Sequence, residues 1–191
     1  MARPKEFDER EVLKKAMILF WEQGYEATSL QDLVNHMDIH RRSIYDTFGD
    51  KQTLFIKVLD LYEEMTERNL IHEVNKIDST RLALQKLFEV TVFNKGRLPR
   101  GCLMVNSAVE LTVASPEVAE KTNRSFAKTE LFIYERLVRG QEKGELSSTL
   151  NLKSLAQFIH NSFIGIRVLA KTTDDQQKLE NVIDLTLSVL D

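Results

Sequence analysis

Apolar residues recur at intervals of three and four along almost the whole chain, which is the spacing of one face of an α-helix. Three prolines and seven glycines in 191 residues interrupt this pattern at few points. We therefore predict an all-α protein of about nine helices, with a three-helix N-terminal unit and a larger helical C-terminal part. The predicted helices cover about residues 8–23, 29–37, 41–48, 51–77, 79–93, 102–113, 116–144, 152–171 and 175–190.

Residues that cap helices support several of these boundaries. Asp8 and Glu11 form a capping-box pattern at the start of the first helix, which ends at Gly24, a residue type that favours helix C-termini. Ser115 followed by Pro116 is an N-cap followed by a first-turn proline, so a long helix should begin there.

The second and third predicted helices are short and are separated by only three residues, 38–40. Preceded by a longer helix, this arrangement is typical of a helix-turn-helix, whose second short helix can enter the major groove of DNA. Ile44 and Phe48 face inward at i and i+4, so the rest of that helix faces solvent or DNA. These outward residues are Arg41, Arg42, Ser43, Tyr45, Asp46 and Thr47.

The overall charge does not favour DNA binding, because the chain carries −3 and residues 1–51 carry eight basic and ten acidic side chains, a net −2. The basic residues are clustered, however. Arg3 and Lys5 form an N-terminal basic arm, and Arg41, Arg42 and Lys51 surround the predicted recognition helix. The prediction of DNA binding therefore depends on where the charges lie.

Asp46 has two interpretations. It can pair with Arg42 at i, i+4 and orient that arginine toward guanine, or it can accept a hydrogen bond from cytosine in the major groove. Both remain open from the sequence, and the ion pair is favoured because it can form without DNA.

The N-terminal residues resemble the TetR family of transcription regulators over about residues 8–60. The resemblance implies an all-helical homodimer with a DNA-binding head, and a variable C-terminal domain that binds an inducer and pairs with its twin. It also implies that transcription is repressed at an operator until the inducer releases the protein. The matching residues are 16–20, Gly24-Tyr25, Thr28-Ser29-Leu30, Ile44-Tyr45, Phe48, Lys51 and Leu54-Phe55.

The resemblance also implies roles for individual residues. Thr28, beside Ser29, falls at a position that contacts a backbone phosphate, Tyr45 lies against the sugar-phosphate chain, and Lys51 falls where a phosphate-binding lysine is common. Arg41 and Arg42 fall at the start of the recognition helix. The chain departs from the family pattern at Asp38 in place of a turn glycine, at His40 in place of a capping serine, and at Arg42 in place of glycine or proline. Asp38 tolerates a left-handed backbone, whereas His40 is a poor cap.

Two kinds of inducer are compatible with the C-terminal part. Cys102 begins a helix near Arg97 and Arg100, and positive charge at a helix N-terminus favours a reactive thiolate. The segment 101–106 resembles a TetR subgroup that includes electrophile and redox sensors. Cysteine is also often a buried small apolar residue.

The alternative inducer is a small molecule held in an apolar pocket between helices. Aromatic residues at helical spacing are more often part of a core than of a pocket, so both interpretations stay open. The candidate pocket residues are Phe88, Phe93, Met104, Phe126 and Phe158.

The two terminal helices, residues 152–190, have strong apolar stripes that include Leu155, Ile159, Leu179 and Ile183, and we predict a homodimer through a four-helix seam. We assign residues 1–50 to DNA binding and residues 51–191 to effector binding and dimerisation. A helical module that binds a small molecule or protein without DNA is the alternative.

Other function classes find no support in the sequence. There is no catalytic constellation or phosphate-binding loop, and His36 and His40 are separated by the predicted turn, so we expect no enzyme, cofactor or metal site. The N-terminus lacks an apolar signal region and one cysteine cannot form an internal disulfide, so we expect a cytoplasmic protein.

Overall fold

A computed structural model describes residues 7–93 and 98–191, and all regular structure in these two ranges is helical, which confirms the all-α fold. The helices are α1 (Glu9–Gln23), α2 (Leu30–Met37), α3 (Arg41–Phe48), α4 (Lys51–Val74), α5 (Thr80–Val92), α6 (Leu103–Leu111), α7 (Pro116–Glu142), α8 (Leu152–Thr172) and α9 (Gln176–Leu187). A single 3₁₀ turn, Ser188–Leu190, follows α9. The predicted basic arm with Arg3 and Lys5, and Arg97, lie outside the described residues.

The helix starts agree with the capping chemistry of the sequence. The Asp8 carboxylate accepts from the backbone N–H groups of Arg10 and Glu11 at the start of α1. Ser115 caps α7, whose first residue is Pro116. The helix ends differ more from prediction, since α4 stops at Val74 and not at 77, where no strong stop residue marks the end.

The first of two hydrophobic cores joins the N-terminal helices to the middle of the chain. It contains the buried faces of α1, α2 and α3, including Phe20, Leu33 and Ile44. It also contains α4 as far as Tyr62 and the start of α6, including Met104. The packing thus crosses the expected domain boundary at residues 50 and 51, which stays a prediction as a functional division.

The second core lies in the C-terminal part. It is built by α5, α7, α8 and α9, with Phe88 packed edge-on against Phe163 at 5.2 Å between ring centroids. Ile159 and Ile183, from the stripes predicted to form the dimer seam, are at most 2% exposed in this core. These stripe residues are therefore buried by the chain's own helices, and the homodimer through the two terminal helices stays a prediction.

The helix α6 connects the first core to the turn between α1 and α2. The Glu110 carboxylate near its C-terminus accepts hydrogen bonds from the backbone N–H groups of Tyr25, at 3.1 Å, and Glu26, at 2.8 Å. This contact fixes the N-terminal helices to α6 from outside the core. No helix in the described ranges is both long and apolar enough to cross a membrane.

Candidate nucleic-acid interface and effector cavity

The turn between α2 and α3 has the geometry of a helix-turn-helix. Ser29 caps α2 in a reciprocal capping box with Asp32. Asp38 ends α2 in the left-handed region at φ 58°, ψ 45°, so aspartate takes the place of a turn glycine. His40 is the N-cap of α3 and makes no side-chain cap hydrogen bond, as its residue type suggested.

One face of α3 is buried and the other is open. Ile44 and Phe48 are 0% and 3% exposed and fix the helix to the first core. Arg41, Arg42, Tyr45 and Asp46 are exposed on the opposite side, while Ser43 and Thr47 are half-buried at its edges. The polar surface predicted for groove entry is therefore presented outward.

Two side-chain contacts organise this outward face. Arg42 Nε lies 3.5 Å from Asp46 Oδ2, both side chains being exposed, so the ion pair considered from the sequence is present without DNA. The Arg41 guanidinium lies 5.9 Å from the centre of the Tyr45 ring. Cation and acceptor groups are held side by side along the helix.

Among the DNA-binding residues predicted outside α3, Ser29 is exposed, Lys51 is half-buried and Thr28 is buried. Lys51 Nζ lies 4.2 Å above the Tyr25 ring at the start of α4. Thr28 is 0% exposed, and its hydroxyl donates to the Gly24 carbonyl at 2.6 Å. The hydroxyl is thus committed to the turn between α1 and α2, and a phosphate contact of Thr28 stays a prediction.

Sequence reasoning missed a further cation beside the recognition helix. Lys57, on α4, is exposed, and its ammonium donates to the carbonyl of Thr47 near the C-terminus of α3 at 3.3 Å. Its position six residues after Lys51 was the available signal, but the contact depends on the angle between α3 and α4.

A cavity of about 410 Å³ lies between α4, α5 and α7, a size typical of small-molecule sites. Trp21 of α1 and Arg167 of α8 also line it, together with residues around the start of α6. The complete lining is Trp21, Tyr62, Glu63, Thr66, Glu67, Leu70, Val90, Thr91, Leu98, Gly101, Met104, Ser125, Lys128, Thr129, Phe132 and Arg167.

Among the six candidate effector residues, Met104 alone lines this cavity. Phe88 is fully buried in the second core, and Phe93 packs against that core. Phe126 packs against the first core and lies 5.9 Å from the His160 ring. Phe158 is 47% exposed on the outer side of α8. The assignment of these four aromatic residues to the pocket is wrong, because helical spacing does not distinguish a core face, a cavity face and an outer face.

Cys102 lies behind the cavity wall and not at its surface. The residue is 1% exposed at the N-cap of α6, and its Sγ accepts from the Tyr62 hydroxyl at 3.2 Å and from an Arg167 guanidinium nitrogen at 3.3 Å. Burial, with the neighbouring Cys102, holds the pKa of Tyr62 well above its usual value, so its hydroxyl stays a donor.

Of the two cations predicted beside this thiol, Arg97 lies outside the described residues and Arg100 has other partners, whereas Arg167 contacts the sulfur. Arg100 instead pairs with Asp174 at 2.5 Å and donates to the Thr173 carbonyl, at the end of α8. Arg167 is 65 positions from Cys102 in sequence, so no local motif links the two.

Two family descriptions match the chain. Residues 12–58 match the bacterial regulatory proteins of the tetR family, and residues 82–186 match a tetracyclin repressor-like C-terminal domain. The chain therefore belongs to the TetR family of helix-turn-helix transcription regulators, a family of DNA-binding regulators and not of enzymes. This confirms the resemblance seen in the N-terminal residues and favours it over a helical module without DNA-linked function.

Individual relatives match over the full fold. An uncharacterised regulator of Bacillus subtilis, YezE, is 34% identical over 100% of both chains. The transcriptional repressor ComR of Escherichia coli is 32% identical over 97% of this chain and 90% of its own length. A solved complex of a cysteine mutant of the TetR family regulator CifR with 26-bp double-strand operator DNA superposes with a TM-score of 0.90, at 30% identity, covering 100% of both chains.

Proposed function

We propose that this regulator is a repressor that binds a pseudo-palindromic operator as a homodimer and is released by a small molecule bound in the cavity. The outward face of α3, with Arg41, Arg42 and Tyr45 exposed above a buried Ile44, carries the DNA-binding part of the proposal. The operator complex of CifR, at 30% identity, supports operator binding, and the repressor ComR, at 32% identity, supports the direction of regulation.

The interface proposed for DNA consists of residues on α3 and around its two ends. Arg41, Arg42, Ser43, Tyr45, Asp46 and Thr47 would face the major groove, with the Arg42–Asp46 pair orienting the arginine. Ser29, Lys51 and Lys57 would contact phosphates. Thr28 would act through the backbone of the turn.

A shift assay on the DNA flanking the regulator's own gene tests this interface. The double variant Arg41→Ala, Tyr45→Phe should lose specific binding, whereas Lys153→Ala, which removes an exposed cation from the distant α8, should bind as the parent does. Specific binding that survives in the double variant, or none in the parent at low salt, would refute the proposal.

The proposed dimer uses the outer faces of α8 and α9. Phe158 and Val168 on α8 are 47% and 49% exposed, and Leu185 on α9 is 75% exposed. At Gly165, on the same side of α8, an added side chain would meet open space within the chain, which leaves room for a close approach by a second helix. Exposed apolar residues clustered on two adjacent helices are typical of a subunit interface.

Sedimentation of a charged variant tests the dimer. Leu185→Glu should give monomers, since the charge would be buried against the partner. Val113→Glu is the matched control, because Val113 is fully exposed after α6 and belongs to neither α8 nor α9. A Leu185→Glu protein that stays dimeric would contradict this interface.

The cavity is proposed as the inducer site because its walls include α4, the helix that follows the recognition helix α3. Tyr62, Glu63 and Thr66 on α4 line the cavity, and the same helix begins at Lys51, directly after α3. A ligand that shifts α4 would change the spacing of the two recognition helices in the dimer. Because coupling is reciprocal, such a ligand must also bind the operator complex more weakly than the free protein.

Reversible binding is favoured over covalent capture at Cys102, because the thiol is 1% exposed behind Tyr62 and Arg167. Release from the operator by an electrophile such as N-ethylmaleimide tests the alternative. Parent protein released by the electrophile while Cys102→Ser remains bound would establish the thiol as the sensor and exclude the reversible route for that signal.

A further inference from the structure

The charged side chains that line the cavity differ in whether they have an ion-pair partner. Lys128 Nζ lies 2.8 Å from a Glu63 carboxylate oxygen and 3.0 Å from one of Glu67, and Arg124 adds a longer contact to Glu63. These hydrogen bonds raise the pKa of Lys128. Lys128 and Arg124 together balance the charges of Glu63 and Glu67.

Arg167 is the unmatched charge of the cavity. Its guanidinium lies 3.9 Å from the centre of the Phe163 ring and donates to Cys102 Sγ. Within residues 7–93 and 98–191, no carboxylate lies within ion-pair distance of it. A half-buried guanidinium without a counter-ion is incompletely compensated, and an anionic ligand in the cavity would supply the missing partner.

Two buried N–H groups on the same wall also lack acceptors. Trp21 is 4% exposed, and neither its indole Nε1 nor Arg167 Nε has a hydrogen-bond partner among the described residues. The two side chains are linked through Tyr62, whose ring lies 5.0 Å from that of Trp21 and whose hydroxyl shares Cys102 Sγ with Arg167. Buried donors are nearly always paired, so two orphans beside one cavity indicate an acceptor supplied from outside the chain.

We propose that the cavity binds an amphipathic organic carboxylate, with its carboxylate on Arg167 and Trp21 Nε1. Its apolar body would lie against Leu70, Met104 and Phe132. This deepens the proposed inducer site and rests on it. A cationic ligand would face Arg167, while Lys128 and Arg124 together balance the charges of Glu63 and Glu67. A neutral ligand would leave the guanidinium unpaired.

The position of Trp21 connects this ligand to the DNA-binding helices. Trp21 belongs to α1, and both orphan nitrogens are covered by neighbouring side chains, so an acceptor reaches Nε1 only if these side chains move. Binding of the carboxylate would therefore displace α1, the helix that packs against α2.

Trp21 is also the only tryptophan of the chain, so its fluorescence reports directly on the cavity. The dimer is titrated with phenylbutyrate, decanoate and naphthylacetate, each compared with its own primary amide and with the matching primary amine. Because a hydrogen-bonded charge pair is worth more than a neutral hydrogen bond, the carboxylates should bind roughly tenfold or more tightly than their amides. The amines should bind more weakly still.

Variants test whether Arg167 causes the preference for carboxylate over amide. Arg167→Gln should remove the preference for carboxylate over amide, and Arg167→Lys should restore part of it by keeping the charge. Arg139→Gln makes the same charge change at an exposed residue outside the cavity lining and should leave the preference intact. Native circular dichroism of each variant verifies folding before titration.

The proposal is overturned if none of the three carboxylates binds more tightly than its amide, or if the preference survives Arg167→Gln. A shift assay without ligand separates the two levels of inference. If the parent protein binds the operator but shows no preference for carboxylates, only this ligand class is refuted. If the parent protein does not bind the operator at all, the proposed function is refuted.

Discussion

The N-terminus of the recognition helix lacks a capping side chain, and supplying one should stabilise the protein. His40 already has the extended backbone of an N-cap, φ −67° and ψ 147°, but its imidazole makes no cap hydrogen bond. In His40→Ser, the hydroxyl would accept from the backbone N–H of Arg42 or Ser43 without a change of backbone conformation.

The expected gain is about 1 kcal/mol in the free energy of unfolding, the usual contribution of an N-cap hydrogen bond. For a chain of this size it corresponds to a rise in melting temperature of about 2–4 °C. Urea and thermal unfolding at a fixed protein concentration measure it, since the stability of the proposed dimer would depend on concentration. His36→Ser is the matched control, because His36 is exposed inside α2 and gains no cap there.

A second substitution separates stability from DNA contact. His40→Asp should cap α3 at least as well as serine, yet its carboxylate would lie close to DNA phosphates and lower affinity roughly tenfold at low salt. His40→Ser should bind DNA at least as tightly as the parent. An unfolding free energy that fails to rise in His40→Ser, or equal DNA affinities of the two variants, would refute the reasoning about this helix end.

Three further substitutions test the packing and electrostatics around the site. Glu110→Ala should lower the free energy of unfolding by about 1–2 kcal/mol, because the turn after α1 loses its acceptor. Glu110→Gln should lower it by less, because glutamine keeps an acceptor oxygen. Equal stability of both variants and the parent in urea unfolding would contradict this. Gly140→Ala should cost about 1–3 kcal/mol, since the new Cβ would overlap Thr80 Oγ1, and a neutral effect would show that α5 and α7 can move apart. Burial lowers the pKa of His160 below its ordinary value of 6.5, although Glu130 opposes the shift, so the unfolded chain takes up a proton at higher pH than the folded one. Stability should therefore fall as the pH drops below about 6.5 toward the folded pKa, and the urea midpoint of His160→Gln should change less over that range; equal slopes would contradict the assignment.

The parts of the fold that sequence predicted well are those decided by local chemistry. Ser115 with Pro116 placed the start of α7 correctly, because the cap and the proline act within one turn. Asp38 was expected to tolerate the left-handed turn and does so. The exposed face of α3 followed from the inward spacing of Ile44 and Phe48.

Sequence reasoning was less informative where a residue's partner is far away in sequence. The stripes of α8 and α9 were correctly identified as apolar, but periodicity does not show whether a helix buries that face against its own chain or against a second one. The same ambiguity affected Phe158. The cation beside Cys102 was sought among its neighbours, whereas the fold supplies Arg167 from α8.

The first core has a consequence for how the regulator responds as a whole. Phe20 of α1 and Ile44 on the buried face of the recognition helix belong to the same continuous core as Tyr62 and Met104, two residues that line the cavity. Residues 1–50 cut free of the rest would lose the apolar surface on α4 and α6 against which they pack, so we expect such a fragment to be unfolded. If the cavity binds the effector as proposed, substitutions in its walls on α4 and α6 should also change the stability of the DNA-binding helices.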